Sequence, residues 1–352
     1  MSTIQNNNTD ENDAPPFWLK LVAKYEKPEL LRSIWQIVNT LVPYAALWYL
    51  MYLSLRVSYW LTLGLAILAA GFLVRTFIIF HDCVHGSFFK SLKADRFWGF
   101  VTGILLFTPY APWREEHNRH HMSSGNLDER GFGCVWTMTV KEYLQSSRWK
   151  RLGYRFVRSP LCLFTFIPTF LFLVLHRFPS PEYSPEVRRG TLLTNLGVAA
   201  VATILILLFG WKAYLLIQLP VIMLAASAGV WIFYVQHQFD GAYWEKGDKW
   251  DYLTAALKGS SFYKLPKVLQ WFTGNIGFHH IHHLSPRIPN YFLEKCYREN
   301  PLFQEVKPIT FWASFRSLAF RLWDDEHHRL VGFGYLKSLK RFRTRITASA
   351  TL

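Results

Sequence analysis

Apolar residues in this chain gather into long runs instead of alternating with polar ones. Residues 34–55 and 59–80 are each hydrophobic over about 20 positions, enough to cross a hydrocarbon core of roughly 30 Å as helices. Only Arg56, Val57 and Ser58 separate them, so the pair predicts a helical hairpin. Residues 191–210 and 213–235 repeat the arrangement around Trp211 and Lys212, which predicts a second hairpin and four spans in all. Two shorter apolar stretches, residues 97–112 and 161–175, contain Pro109, Pro112 and Pro168 and fall short of a span. They are expected to lie at the interface or to be re-entrant. Outside the spans, helices are expected over residues 140–154, 248–258 and 310–329. The last, with Phe311, Trp312, Phe315, Phe320 and Trp323 among Arg316, Arg321 and Arg329, reads as an amphipathic helix on anionic lipid or as a packed helix.

Composition agrees with a membrane class: 51% of residues are hydrophobic and 17% aromatic. The formal charge of +15 could suggest nucleic acid, but its distribution argues against that partner. Of 39 Lys and Arg, Arg56 and Lys212 lie in the hairpin links and Arg75 in a span, leaving 36 elsewhere. By the positive-inside rule both termini and the region between the hairpins face the cytoplasm. The chain therefore divides into a tail (1–33), hairpin 1 (34–80), a cytoplasmic region (81–190), hairpin 2 (191–235) and a second cytoplasmic region (236–352). Residues 1–16 are polar and acidic, lack the pattern of a signal peptide, and read as disordered. Arg75, near the end of its span, is expected to anchor at the interface or to meet Asp82. Cys83, Cys134, Cys162 and Cys296 show no paired spacing, which argues against disulfides or a zinc ribbon.

The chemistry is carried by histidine. Eight of 13 occur in three boxes, His81-Asp-Cys-Val-His85, His117-Asn-Arg-His120-His121 and His279-His-Ile-His282-His283, leaving out His280. At about 3.6 residues per turn, positions i, i+3 and i+4 share a helix face, so each box can aim two or three imidazoles at one point. His280 lies outside that register, and Cys83 points off the His81–His85 face. A ninth candidate, His237, stands at the end of the fourth span, matching the exit of His81 and His85 from the second. One closed zinc site uses four ligands, so this number implies two metal ions. Imidazole suits zinc, copper, iron and nickel alike; two metals beside spans that could enclose an alkyl chain favour iron, dioxygen and oxidation of a lipid C–H bond. Asp82, Glu115, Glu116, Asp128, Asp240 and Asn275 are candidates to orient the imidazoles.

The boxes, in this order between two hairpins, resemble the membrane fatty acid desaturase family. The stretches His81-Asp-Cys-Val-His-Gly-Ser-Phe-Phe, Trp113-Arg-Glu-Glu-His-Asn-Arg-His-His, Ser124-Gly-Asn-Leu-Asp and Gly274-Asn-Ile-Gly-Phe-His-His-Ile-His-His-Leu-Ser-Pro-Arg-Ile-Pro-Asn-Tyr are similar to bacterial acyl-lipid desaturases of the delta-twelve and delta-five type. The resemblance covers about residues 76–291. It implies an all-α integral membrane protein of the bacterial inner membrane, with a cytoplasmic helical cap over a di-iron centre. Its ligands would be His81, His85, His117, His120, His121, His237, His279, His282 and His283. It also implies a cis double bond introduced into an acyl lipid, more readily than acyl-CoA or acyl carrier protein, with O2 and two electrons from a separate donor, ferredoxin foremost. A hydroxylase or ketolase would share the ligands; a zinc hydrolase would need one open site, and a transporter would place ligands near mid-membrane.

Overall fold

A computed structural model describes residues 16–131 and 135–339. The expected disordered tail, apart from Pro16, and Cys134 lie outside the described residues. Residues 17–25 are ordered: helix Phe17–Val22 leads to a helical turn, and Val22 and Tyr25 are buried in a cluster with Phe292, Leu293 and Phe303.

Among the described residues four helices are long and apolar enough to cross a membrane. α1 (Leu30–Ser54) and α2 (Tyr59–His85) form the first hairpin. α3 (Leu92–Leu105) and α4 (Tyr110–Ser123) follow, then α5 (Pro185–Phe209) and α6 (Trp211–His237), the second hairpin, and the short α7 (His279–Leu284). The hairpin helices outrun their apolar runs. α5 begins at Pro185 because Ser184 caps it, accepting from the Val187 N–H (3.3 Å), and Pro at the first position needs no hydrogen bond. α2 and α6 run on to His85 and His237, so these histidines are held by helix and not by loop.

α1, α2 and α6 share one core, in which Ala66, Ala69 and Ala70 meet Trp48, Met51, Ile217 and Val221. Small residues let helices approach closely where lipid gives no hydrophobic drive. Trp48 Nε1–H donates to Gln218 (3.1 Å), and Ser54 and Thr62 hydroxyls bond at 2.7 Å. α5 exposes Leu192, Leu196, Ile204, Leu207 and Leu208, as a lipid-facing helix would.

Several sequence expectations are corrected. Arg75 is buried, neither snorkelling nor paired with Asp82: Nε donates to Thr40 (3.1 Å), Nη1 donates to the Trp271 carbonyl, and the guanidinium lies over the Trp271 ring at 3.9 Å. Residues 97–112 are two elements, because the chain turns at Phe107 (φ 56°). α3 and α4 have 14 residues each, about 21 Å, too short to cross alone. Residues 161–175 form a π-helical turn (Cys162–Phe166) and helix Ile167–Leu173, and the unit Cys162–Arg177 bends by 59° from helix Arg148–Val157. The helix expected over 140–154 divides at two serines: Ser146 ends Val140–Gln145 and Ser147 caps Arg148–Val157. The helix expected over 248–258 is Tyr252–Gly259, capped by Asp251.

Residues 310–329 are not one helix. After a helical turn at Phe311–Ala319 the chain forms strands Leu322–Asp324 and Arg329–Val331, and the first also pairs in parallel with Met138–Thr139. Trp323 is fully buried and stacks on Trp244, which removes it from any lipid-facing stripe; Trp312 stays exposed. A parallel pair, Phe262–Lys264 with Pro308–Thr310, adds a second small sheet to the mostly helical fold.

Candidate metal centre

Four helix segments deliver the nine predicted histidines to one place. Gly86, at φ 67°, ends α2 directly after His85, a left-handed position that favours glycine. α7 is preceded by a tight turn with Gly274 (φ 49°) and Asn275 (φ 61°). A Cβ on Gly274 would lie 2.7 Å from Ile78 Cγ2, so the missing side chain lets the lead-in to box three sit against α2.

The ligand nitrogens form two groups, within each of which all lie within 4.8 Å of one another. One holds His81, His85, His117, His121 and His282; the other holds His120, His237, His279 and His283. The boxes are therefore interleaved. Within box two, His117 and His121 are one turn apart and share the first group, while His120 turns to the second. Box three sends His282 to the first and His279 and His283 to the second. The groups touch through His121 and His283, whose rings stack at 4.2 Å. His280 is in neither, and its Nε2 donates to the Phe303 carbonyl (3.2 Å). Cys83 is buried among Ile37, Ile79, Phe88 and Phe89.

The donor set fits metal ions. The Nε2 atoms of His121 and His117 are 3.2 Å apart, of His282 and His121 3.0 Å, of His120 and His237 3.2 Å, and of His279 and His237 3.0 Å. Two imidazole nitrogens about 2.1 Å from a shared ion and at roughly right angles would be about 3 Å apart. Buried His85 Nε2 and His283 Nε2 have no partner among the described residues. Burial foremost, with neighbouring histidines adding to it, holds His117, His121, His279, His282 and His283 well below the usual imidazole pKa, and His120 likewise. Neutral imidazoles keep the lone pair a metal needs.

Of the orienting candidates, Asp82 reaches a histidine: its Oδ1 is 3.3 Å from His81 Nδ1, and its Oδ2 accepts from Asn290 N (2.7 Å) and Nδ2 (2.8 Å). Asn275 acts one step back, donating to the Asn290 carbonyl (3.1 Å). Glu116 accepts from Tyr183 and Asp128 from the Gly247 N–H, while Glu115 and Asp240 bond to no box histidine. Sequence reasoning missed Trp113, which stacks on His117 at 4.2 Å, although the i, i+4 spacing was there to be read. It also missed Phe233, beside His120 and His237, and Ser124, 3.5 Å from His237 Nδ1.

A cavity of about 430 Å³ opens on both groups through His81, His117 and His279. Its walls are mainly apolar side chains of α2 and α6, with Leu163, Ile167 and Leu171 from the bent segment and Leu106 from residues 97–112.

Residues 58–315 match the family model described as fatty acid desaturase. The chain belongs to that family. This fatty acid desaturase is 48% identical over 320 residues to "Fatty acid desaturase" of Bacillus subtilis (strain 168), covering 91% of each chain. It is 27% identical to "sn-1 oleoyl-lipid 12-desaturase" of Picosynechococcus sp. over 70% of this chain and 71% of that protein. It is likewise 27% identical to "sn-1 acyl-lipid omega-3 desaturase (ferredoxin)" of Synechocystis sp., over 66% and 64%. The protein is thus a desaturase, an oxidoreductase, and with its four apolar helices a membrane protein whose histidine clusters can hold metal.

Proposed function

We propose that this desaturase introduces a cis double bond into the acyl chain of a membrane lipid at a centre of two iron ions. The observation that carries the reading is the meeting of five and four imidazoles beside one apolar cavity, which His81, His117 and His279 line. In it, His81, His85, His117, His121 and His282 would hold one iron, and His120, His237, His279 and His283 the other. With O2, two electrons and two protons, such a centre supplies the oxidant that takes two hydrogens from adjacent methylenes, leaving an olefin and two waters.

The residues of this chain do the positioning. Asp82 fixes the His81 ring, and Asn290 fixes Asp82. Trp113 and Phe233 pack the rings and limit water beside the alkyl chain. α2, α6 and the bent segment confine that chain so that one methylene pair meets the histidine cluster, which is catalysis by orientation. The boxes, both termini and the region between the hairpins face the cytoplasm, as the placement of basic residues supports. A separate reduced carrier then delivers electrons on that side. Ferredoxin is the proposed donor, in line with the name of the Synechocystis relative, and an acyl lipid is the proposed substrate, in line with both cyanobacterial names.

Expression in a host whose lipids lack polyunsaturated chains, followed by mass spectrometry of the lipids, tests the reaction. Loss of two hydrogens with a new cis olefin is expected. Gain of one oxygen without an olefin would assign a hydroxylase or ketolase instead. Metal analysis should find two irons per chain, and a single zinc with no activity gained on iron reconstitution would refute the centre.

A further inference from the structure

Arg158 is the one fully buried guanidinium among the described residues that lines the apolar cavity. It follows helix Arg148–Val157 and turns inward. Its Nη2 donates to the Phe320 carbonyl (3.1 Å), Gln238 Oε1 (3.2 Å) and the Tyr234 hydroxyl (3.3 Å), all neutral groups. Nε and Nη1 are buried without any partner among the described residues. Arg321, also buried, donates from Nη1 to the Phe320 carbonyl (3.0 Å) and the Tyr234 hydroxyl (3.1 Å). Two permanent cations thus share the same neutral acceptors. Among the described residues no Asp or Glu forms an ion pair with either.

Buried charge is tolerated when it is paired and hydrogen-bonded, and an arginine cannot shed its proton to escape. Arg75 meets the problem with a hydroxyl and a carbonyl acceptor, Arg177 has an amide and a carbonyl acceptor but leaves its Nε without a partner among the described residues, and neither lines the cavity. Arg158 does line it, and its Nε and Nη1 have no partner among the described residues. Tyr234 and Gln238 stand on either side of His237, so this end of the cavity is level with the histidine cluster, where the apolar part of α6 ends. An amphiphile with its chain among α2 and α6 would bring its polar end to that level.

We propose that Arg158, with Arg321 beside it, binds an oxyanion at the polar end of an acyl amphiphile whose chain occupies the cavity. The proposal rests on the reading above that the cavity takes an acyl chain. The oxyanion is a phosphate if the ligand is a glycerophospholipid and a carboxylate if it is a free fatty acid.

The test measures binding without turnover, on the full chain with its metals, under anaerobic conditions and without reductant. Three spin-labelled probes are compared in mildly alkaline buffer: stearate, its methyl ester, and phosphatidylglycerol. At least one oxyanion probe should bind about tenfold or more tightly than the methyl ester, and which one does identifies the source. Arg158→Gln should remove that preference and leave the methyl ester unchanged, with Arg158→Lys, which keeps the charge, in between. Equal binding of all three probes to the unaltered protein overturns the proposal, and this comparison holds even if Arg158→Gln does not fold. A folded Arg158→Gln that weakens every probe alike overturns it too. Preferential oxyanion binding by a protein that makes no olefin would sink the reaction proposed above and leave this site standing.

Discussion

Two adjacent histidines, His279 and His280, show how a one-residue offset separates a member of the histidine cluster from scaffold. Both are buried, but His279 joins the four-membered group while His280 bonds to the Phe303 carbonyl, with burial pushing its pKa down to about 4. His120→Ala should therefore lose one of two irons and all activity. His280→Ala should keep both irons and lose about 1–3 kcal/mol of stability through the orphaned carbonyl. Iron analysis on matched purified samples checks the first half and thermal unfolding the second; equal iron loss would mean box three is misassigned. Asp82→Ala tests the orienting contact to His81. It should weaken iron binding about 10- to 100-fold, measured against a competing chelator, since carboxylates that fix a metal-binding imidazole have effects of that size.

At the level of elements, the glycines before box three decide whether α7 can reach the site. A Cβ on Gly277 would collide with the Tyr263 carbonyl, in the stretch where the Tyr263 N–H donates to the Gly277 carbonyl (2.7 Å). Gly277→Ala should shift α7, lower the melting temperature and reduce iron content in one step. Gly153→Ala, in helix Arg148–Val157 with nothing near its Cβ, is the control and should be neutral or stabilising by about 0.5–1 kcal/mol. An equal loss in both variants would show that the backbone at Gly277 has room to spare. Residues 310–329 teach the converse lesson. Their aromatic and basic spacing suits a helix, yet burial of Trp323 between partners from distant segments makes Leu322–Asp324 the central strand of a small sheet.

For the whole molecule, the shared site requires α2, α4, α6 and α7 to meet on one side of the membrane. Val57 in the first hairpin link and Met122 in box two are both exposed, so each can report its side. With the native cysteines replaced, Val57→Cys should react with an impermeant maleimide from outside intact cells, and Met122→Cys only after permeabilisation. Outside labelling of position 122 would separate box two from box one and undo the shared centre.

The four spans and the three boxes were legible because both are local: a span is a run of apolar residues, and a box is a helical register. Membership of His237 was legible by analogy between two helix exits. How nine imidazoles divide into five and four was not, because it depends on how α4 and α7 are rotated between α2 and α6. Arg75 and Arg158 were hidden for the same reason. A lone arginine in sequence says nothing of whether lipid headgroups, a carbonyl or an apolar cavity will lie beside it, and only the packing of distant segments around each one decided that.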